Sequence, residues 1–144
     1  MLFVLSNTKV VNSRYFKRQN VVWRRRQSKD GVVFTTRETV DLEGLVVKKK
    51  IALTPEKYQA GKLFISLLKA CSHLDGPEET AWHLAKTIEE KLIEALSEEF
   101  AVKTTTIAII TIESLKSFDT TAYIKYAAFH PDLVSPRKLS FALK

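Results

Sequence analysis

The sequence predicts an α+β fold in which a small antiparallel β domain is followed by a mostly helical domain. In the first third, β-branched and aromatic residues alternate with polar ones, which is typical of short strands. From about Gln59 onward, the apolar residues recur at helical spacing. The charge is divided as well, because residues 1–50 hold 12 Lys/Arg against 4 Asp/Glu and residues 51–144 hold 11 against 12. The excess positive charge therefore lies in the first third and indicates a polyanionic partner there.

Three antiparallel strands are predicted in the first third, over residues 9–16, 21–27 and 32–40. The first hairpin turn falls near residues 17–20. A sheet of this size has little core of its own, so it needs a metal, a partner or a neighbouring domain. A further strand is predicted over residues 45–50, and residues 51–53 are expected to extend it or to begin a hairpin. A turn is predicted at residues 54–56.

Four helices are expected after this turn. The apolar face of the first helix comprises Leu63, Leu67, Ala70 and Leu74. Pro77 suits the first turn of the second helix, whose apolar stripe includes Trp82. Thr104 and Asp119 are natural N-caps for the third and fourth helices. The fourth helix is expected to hold Ala122, Tyr123, Tyr126, Ala127 and Phe129, and to stop at Pro131.

Catalysis is not supported by the residue types present. The single cysteine, Cys71, excludes an internal disulfide and a multi-cysteine zinc site. His73, His83 and His130 lack metal-ligand spacing, and the chain has no glycine-rich phosphate loop. We therefore expect no enzymatic activity. The apolar start covers five residues without a basic segment, so we expect no signal or membrane segment and a cytoplasmic location.

The first of two cationic clusters is the run Arg24, Arg25 and Arg26 beside Trp23. The adjacent strand and turn add Arg14, Lys17 and Arg18. Strand alternation predicts Arg24 and Arg26 on one face of the sheet and Arg25 on the other. Guanidinium forks suit phosphate oxygens and guanine edges. The alternative is a charged edge strand that prevents aggregation.

The second cluster follows the predicted strand at residues 45–50. It comprises Val46, Lys48, Lys49 and Lys50, followed by Glu56, Gln59 and Lys62 where the turn meets a helix. Ammonium groups that converge near a helix N-terminus are typical of a phosphate site. The alternative is a set of ordinary exposed lysines.

The order of these motifs resembles the NrdR family, bacterial transcriptional repressors of ribonucleotide reductase genes. The resemblance covers residues 8–133. It is carried by the segments TKVVNSR, VVWRRRQ, FTTRE, LVVKK and KLFISLLKAC, and most specifically by FDTTAYIKYA. It implies a zinc-ribbon-like basic β domain over residues 1–42, an ATP-cone (a β-hairpin with a four-helix bundle) over residues 43–134, and a basic tail over residues 135–144.

The resemblance also implies ligands and site residues. ATP or dATP would bind the ATP-cone as an effector. Its site would contain Val46, Lys48, Lys49, Glu56, Gln59, Lys62 and Thr104. Double-stranded DNA would be contacted by Arg14, Lys17, Arg18, Arg24, Arg25 and Arg26.

Two departures from the family pattern concern the ribbon and the hairpin. The family's ribbon holds zinc with two cysteine pairs, and here the second pair falls on Ser28 and Gly31 and the first near Phe3. No zinc ligand remains, so we predict no structural zinc. The family's Arg-Asp-Gly after the hairpin strand is Lys49, Lys50 and Ile51 here, with about two residues inserted before the helix.

The resemblance therefore implies a nucleotide-responsive, DNA-binding repressor that controls ribonucleotide reductase or related genes and forms a homo-oligomer. The alternative is an ATP- or dATP-sensing interaction module that has lost zinc and DNA binding. A third possibility is a degenerate structural protein that binds neither ligand.

Overall fold

A computed structural model describes residues 5–49, 54–96 and 98–129 of the chain. The chain divides into two compact units between Asp41 and Leu42, here called the N-terminal unit and the C-terminal unit. The predicted α+β fold class is confirmed, because a three-stranded antiparallel sheet precedes four helices. Several sequence expectations lie outside the described residues: the cysteine-pair position near Phe3, Lys50 of the second cationic cluster, the strand extension at residues 51–53 and the basic tail at residues 135–144.

The N-terminal unit is an antiparallel sheet with the strand order β1-β2-β3. Its strands are β1 (Thr8–Phe16), β2 (Val21–Ser28) and β3 (Val33–Glu38). A β-bulge interrupts β1 between Val10 and Asn12. The first turn closes with the Asn20 N–H donating to the Lys17 carbonyl at 3.4 Å. Asn20 adopts a φ of 50°, which asparagine tolerates better than most residues.

The C-terminal unit begins with a small mixed sheet. Its strands are β4 (Val46–Lys48), β5 (Glu56–Lys57) and β6 (Ala101–Lys103), in the order β5-β4-β6. β4 pairs with β5 in antiparallel fashion and with β6 in parallel. One sequence expectation is corrected here, and one strand is found that was not predicted. Glu56 lies in a strand and not in a turn, and β6 was not predicted because its partner lies more than fifty residues away in the chain.

Four helices complete the C-terminal unit. They are α1 (Ala60–Ala70), α2 (Pro77–Ala95), α3 (Thr104–Phe118) and α4 (Thr120–Ala128). The predictions for Pro77 and Asp119 are confirmed: Pro77 opens α2, and the Asp119 carboxylate accepts the Ala122 N–H at 2.8 Å. The prediction that Thr104 caps α3 is wrong. Lys103 occupies the cap position, and Thr104 Oγ1 donates instead to the Lys48 carbonyl at 3.3 Å.

The core of the C-terminal unit is built by the side chain of Leu45, which directly precedes β4, and by side chains from all four helices. Its fully or almost fully buried members include Leu45, Leu67, Cys71, Ile88, Leu92, Thr111 and Leu115. The prediction that Trp82 belongs to the apolar stripe of α2 is wrong, because Trp82 is 53% exposed. Phe129, which was expected within the fourth helix, follows its last residue at the C-cap position and is exposed. The buried stripe of α2 starts one residue earlier, at Ala81 and Ala85. Small side chains at these positions let a neighbouring helix approach closely, and the larger Trp82 is rotated toward solvent.

Candidate functional site

Glu56 is the centre of the cationic cluster in the C-terminal unit. Its two carboxylate oxygens lie 2.7 Å from Lys49 Nζ and 3.2 Å from Lys62 Nζ. The hydrogen bond from Lys49, followed by that from Lys62, lowers the pKa of the Glu56 carboxyl below its ordinary range. Two of the predicted phosphate-binding lysines, Lys49 and Lys62, therefore share one carboxylate.

The parallel pairing of β4 with β6 brings Lys48 opposite Lys103 at the start of α3. Lys48 Nζ lies 3.3 Å from Glu99 Oε2, and the Lys48 carbonyl accepts the Thr104 hydroxyl. Lys103 is exposed and makes no side-chain hydrogen bond or ion pair among the described residues. At these strand ends, Lys103, which has no side-chain partner among the described residues, therefore lies beside Lys48, which is paired with Glu99.

These lysines line a cavity of about 380 Å³ at the ends of the two strands. Its lining residues are Lys48, Lys49, Lys103 and Thr105. Lys103 and Thr105 were missed by the sequence analysis, although the Lys-Thr-Thr-Thr run at the start of a predicted helix is a usable signal. The first turn of α3 has no side-chain cap, so its backbone N–H groups add donors at this end of the helix.

The other residues predicted for the nucleotide site are not among the lining residues of this cavity. Glu56 and Lys62 are connected to it through Lys49. Val46 is half-buried in β4, and its N–H donates to the Phe100 carbonyl at 3.3 Å. Gln59 is exposed at the cap position of α1, and its side chain makes no capping hydrogen bond.

The arginine run of β2 is divided between the two faces of the N-terminal sheet, which confirms the predicted alternation. Arg24 Nη2 lies 3.3 Å from Glu38 Oε2, and Arg26 Nε donates to Thr36 Oγ1 at 3.2 Å. Arg25 is exposed, and within the described ranges its side chain has no hydrogen bond or ion pair. The three consecutive arginines therefore have different surroundings.

The remaining predicted cations of this unit are exposed. Arg14 lies on β1 opposite Trp23, whereas Lys17 and Arg18 lie in the turn between β1 and β2. Arg37 was missed by the sequence analysis. Its guanidinium carbon lies 4.7 Å from the centroid of a Trp23 ring, on the strand that pairs with β2.

The position of the family's second cysteine pair does not fit a zinc ion. Gly31 has no side chain, and the Ser28 hydroxyl already accepts the Val32 N–H at 3.1 Å. The same turn is closed by the Gly31 N–H, which donates to the Ser28 carbonyl at 3.1 Å. Across the part of the chain that the structure describes, no group of three or more His, Cys, Asp and Glu side chains is arranged to hold a metal ion.

Fold and site together define a two-unit protein, with a basic β-sheet unit followed by a mostly helical unit that carries a lysine-lined cavity. Among the described helices, none combines the length and the apolar character needed to cross a membrane. No protein-family model matches the chain. Individual relatives do match it along most of its length.

The chain is 31% identical over 139 residues to the transcriptional repressor NrdR of Persephonella marina, which covers 96% of this chain and 90% of the relative. It is 33% identical over 129 residues to the transcriptional repressor NrdR of Symbiobacterium thermophilum, covering 89% and 84%. It is 31% identical over 125 residues to that of Oceanobacillus iheyensis, covering 86% and 78%. The chain therefore belongs to the NrdR family.

Proposed function

We infer that this protein is a DNA-binding transcriptional repressor whose binding to DNA responds to an adenine nucleotide. The observation that carries the proposal is that each unit has a cationic surface of its own, one on the N-terminal sheet and one at the lysine-lined cavity of the C-terminal unit. Relatives that cover most of the chain are named transcriptional repressors. The proposed targets are ribonucleotide reductase genes or related genes.

The cavity offers chemistry suited to the phosphates of ATP or dATP. Lys48, Lys49 and Lys103 present ammonium groups, which hold phosphate oxygens as compact point charges. The open N-terminus of α3 adds backbone N–H donors and the positive end of its dipole. Phosphate binding has to displace Glu56 from Lys49 and Glu99 from Lys48, so these carboxylates act as competing anions.

Communication between the two surfaces is proposed to pass through the oligomeric state. In this proposal, nucleotide binding changes how copies of the C-terminal unit associate. The spacing of the basic sheets then changes, and with it the fit to two sites on one DNA duplex. The N-terminal sheet is proposed to keep its structure without zinc.

A pair of measurements on the full chain tests this function. Thermal-shift titrations with ATP and dATP report nucleotide binding, because a ligand that binds only the folded state raises its stability. Mobility shifts on a duplex that carries the promoter of a ribonucleotide reductase gene report DNA binding, repeated with each nucleotide. We expect a raised melting temperature and a nucleotide-dependent change in the DNA complex.

The other outcomes identify the rival functions. A thermal shift without DNA binding indicates a nucleotide sensor that has lost DNA binding, and neither response indicates a structural protein. The variant Lys103→Ala should lower the nucleotide affinity, whereas Lys116→Ala, an exposed lysine in the last turn of α3, should leave it unchanged. Equal effects of both variants would show that the cavity is not the nucleotide site.

A further inference from the structure

The two faces of the N-terminal sheet differ in their chemistry. In an antiparallel sheet, directly paired residues carry their side chains on the same face. Trp23 pairs with Arg14 on one side and Arg37 on the other, and Arg25 pairs with Asn12 and Thr35. The Trp23 face is defined by Lys9, Asn12, Arg14, Phe16, Val21, Trp23, Arg25, Gln27, Val33, Thr35 and Arg37.

The opposite side, the Arg24 face, uses its arginines within the sheet. Its residues are Thr8, Val10, Ser13, Tyr15, Val22, Arg24, Arg26, Ser28, Phe34, Thr36 and Glu38. Arg24 is paired with Glu38, and its Nε is buried without a hydrogen-bond partner. Arg26 donates to Thr36 on β3 and to Thr8 on β1, at 3.2 Å and 3.3 Å. The side chain of Arg26 on β2 is therefore hydrogen-bonded to both neighbouring strands, and neither the Arg24 nor the Arg26 guanidinium is fully exposed to solvent.

The Trp23 face carries exposed cations and no carboxylate at its strand positions. Its cations are Lys9, Arg14, Arg25 and Arg37, and all four are exposed. Adjacent strands lie about 4.8 Å apart, so Arg14 and Arg37 flank Trp23 at strand positions about 10 Å from each other. Four like charges on so small a face repel one another, and a series of phosphates would relieve that repulsion.

The surroundings of Trp23 favour a duplex over a single strand. The Arg37 guanidinium covers the indole ring at 4.7 Å, and Phe16 meets it edge-on with ring centroids 6.3 Å apart. Proteins that hold single strands stack bases on open aromatic faces. Here the Arg37 guanidinium occupies such a face and is itself held in place by the indole. Such forks are suited to backbone phosphates and guanine edges.

We propose that the Trp23 face is the surface that contacts duplex DNA, with Arg14, Arg25 and Arg37 as its contact residues, and that Arg24 and Arg26 hold the sheet together. This inference rests on the proposed DNA-binding function and specifies the surface that performs it. It adds Arg37 to the contact residues and assigns Arg24 and Arg26, both members of the arginine run, to a structural role.

The test is a salt titration of DNA binding by the full chain, measured by fluorescence anisotropy with a labelled promoter duplex. The logarithm of the binding constant falls with the logarithm of salt concentration, with a slope of about 0.9 per phosphate contact. Arg25→Ala and Arg37→Ala should each weaken binding by roughly tenfold and reduce the slope by about one. Arg24→Ala should keep the wild-type slope and lower the melting temperature instead.

Arg25 and Arg24 make a matched pair, because each variant removes one positive charge from adjacent positions of β2. Arg25 has no side-chain hydrogen bond or ion pair among the described residues, so its variant should fold. If the Arg37→Ala variant loses the Trp23 emission of the folded sheet, the Arg37→Lys variant is used in its place. It keeps the positive charge and should keep the slope of the salt titration. A single-stranded competitor of the same sequence should displace the duplex poorly.

The results that would overturn this assignment differ from those that concern the function. A wild-type chain that binds no duplex would remove the proposed function, and the surface with it. A wild-type chain that binds DNA, with an unchanged slope for Arg25→Ala and a reduced slope for Arg24→Ala, would move the contact to the Arg24 face. Preference for the single-stranded competitor would overturn the duplex as the ligand.

Discussion

The two units of this chain differ in how many of their hydrophobic side chains are buried. Among the described hydrophobic residues of the N-terminal unit, only Val21 is buried, and almost the whole of β1 is exposed. In the C-terminal unit, Leu45, Leu67, Ile88 and Leu115 are all removed from solvent. Full burial of one such side chain contributes about 1.5–3 kcal/mol, so most of the hydrophobic stabilisation lies in the C-terminal unit.

This difference in burial indicates how much of the surface of each unit is available for binding. A sheet that buries little has most of its side chains available for a partner, and its exposed cations favour an anionic one. Ligand binding to such a unit stabilises the folded state in proportion to the logarithm of ligand concentration. The C-terminal unit has a packed core, and its proposed nucleotide site lies at the strand ends and the start of α3.

The largest expected effect is the truncation of a core side chain in the C-terminal unit. Leu67 on α1 is fully buried, and Leu67→Ala should lower the free energy of unfolding by about 2–5 kcal/mol, through lost burial and a residual cavity. Urea unfolding followed by circular dichroism at 222 nm measures this effect, since the described α-helices all belong to this unit.

Val33→Ala is the matched truncation in the N-terminal unit. Val33 is 45% exposed, so its change should stay within about 0.5 kcal/mol. The chain has two tryptophans, Trp23 on β2 and Trp82 on α2, so fluorescence in a Trp82→Phe background reports the sheet alone. Equal losses for the two truncations would show that the sheet has a core comparable to that of the helices.

A buried tyrosine gives the next largest effect. Tyr58 is 8% exposed, and its hydroxyl donates to Glu89 Oε1 of α2 at 3.0 Å. Because a hydrogen bond to a charged group contributes about 1.5–3 kcal/mol, Tyr58→Phe should destabilise the C-terminal unit by about that amount. Tyr15→Phe is the control in the other unit, since its bond to Asn20 is exposed and should contribute little.

The Tyr58 pair also predicts a dependence on alkaline pH. Burial first, and then the charge of Glu89, raise the pKa of the Tyr58 hydroxyl above its ordinary value of 10.0. The stabilisation is therefore complete below pH 10 and is lost as the pH rises toward the folded pKa. Wild type should lose stability above pH 10 more steeply than Tyr58→Phe, and parallel pH profiles would contradict this.

A smaller effect is expected at the junction of α3 and α4. The Asp119 carboxylate caps α4 through the Ala122 N–H and lies 2.8 Å from His73 Nε2. The Ala122 N–H, followed by the His73 hydrogen bond, lowers the pKa of Asp119 below its ordinary value of 3.8. Loss of this cap in Asp119→Ala should cost about 1 kcal/mol in the free energy of unfolding, measured by urea at neutral pH.

The acid limb of the stability profile separates the charge of Asp119 from its cap. A lowered pKa gives stability that is present above pH 3.8 and is lost as the pH falls through the folded value. Asn caps helices as well as Asp does, so Asp119→Asn should keep most of the neutral-pH stability and flatten the profile below pH 4. An unchanged acid profile in Asp119→Asn would show that the carboxylate is not its source.

Local chemistry predicted the three strands of the N-terminal sheet and the starts of α2 and α4, because each depends on neighbouring residues. The fixed φ of Pro77 and the short acceptor side chain of Asp119 act within one turn of helix. The strand β6 was missed because only its pairing with residues 46–48, far away in the chain, makes it a strand. Trp82 was misassigned because apolar character alone does not give the rotation of a helix, and the smaller Ala81 faces the core.

The candidate sites show the same limit. Alternation along β2 correctly separated Arg25 from its two neighbours, but the partners of Arg24 and Arg26 come from other strands. Lys103 was missed because it reaches the lysine cluster only through the parallel pairing of β4 with β6. Sequence patterns therefore found the charged elements, and the long-range pairing decides which charges meet.

Metal removal should have the smallest effect, and it tests whether the thin N-terminal sheet stands without zinc. At the family's second cysteine-pair position, the turn is closed by hydrogen bonds between Ser28 and Val32 and by the Gly31 N–H. Structural zinc contributes on the order of 10 kcal/mol where it is present, so its removal would unfold so small a sheet. We expect EDTA to leave the Trp23 unfolding curve unchanged and elemental analysis to find no stoichiometric zinc.

Ser28→Ala shows that the measurement is sensitive enough, since the lost hydrogen bond should lower the stability of the sheet by about 1 kcal/mol. Stoichiometric zinc, with a Trp23 transition that collapses in EDTA, would mean that the sheet depends on metal and that its hydrogen-bonded turn is not sufficient to hold it.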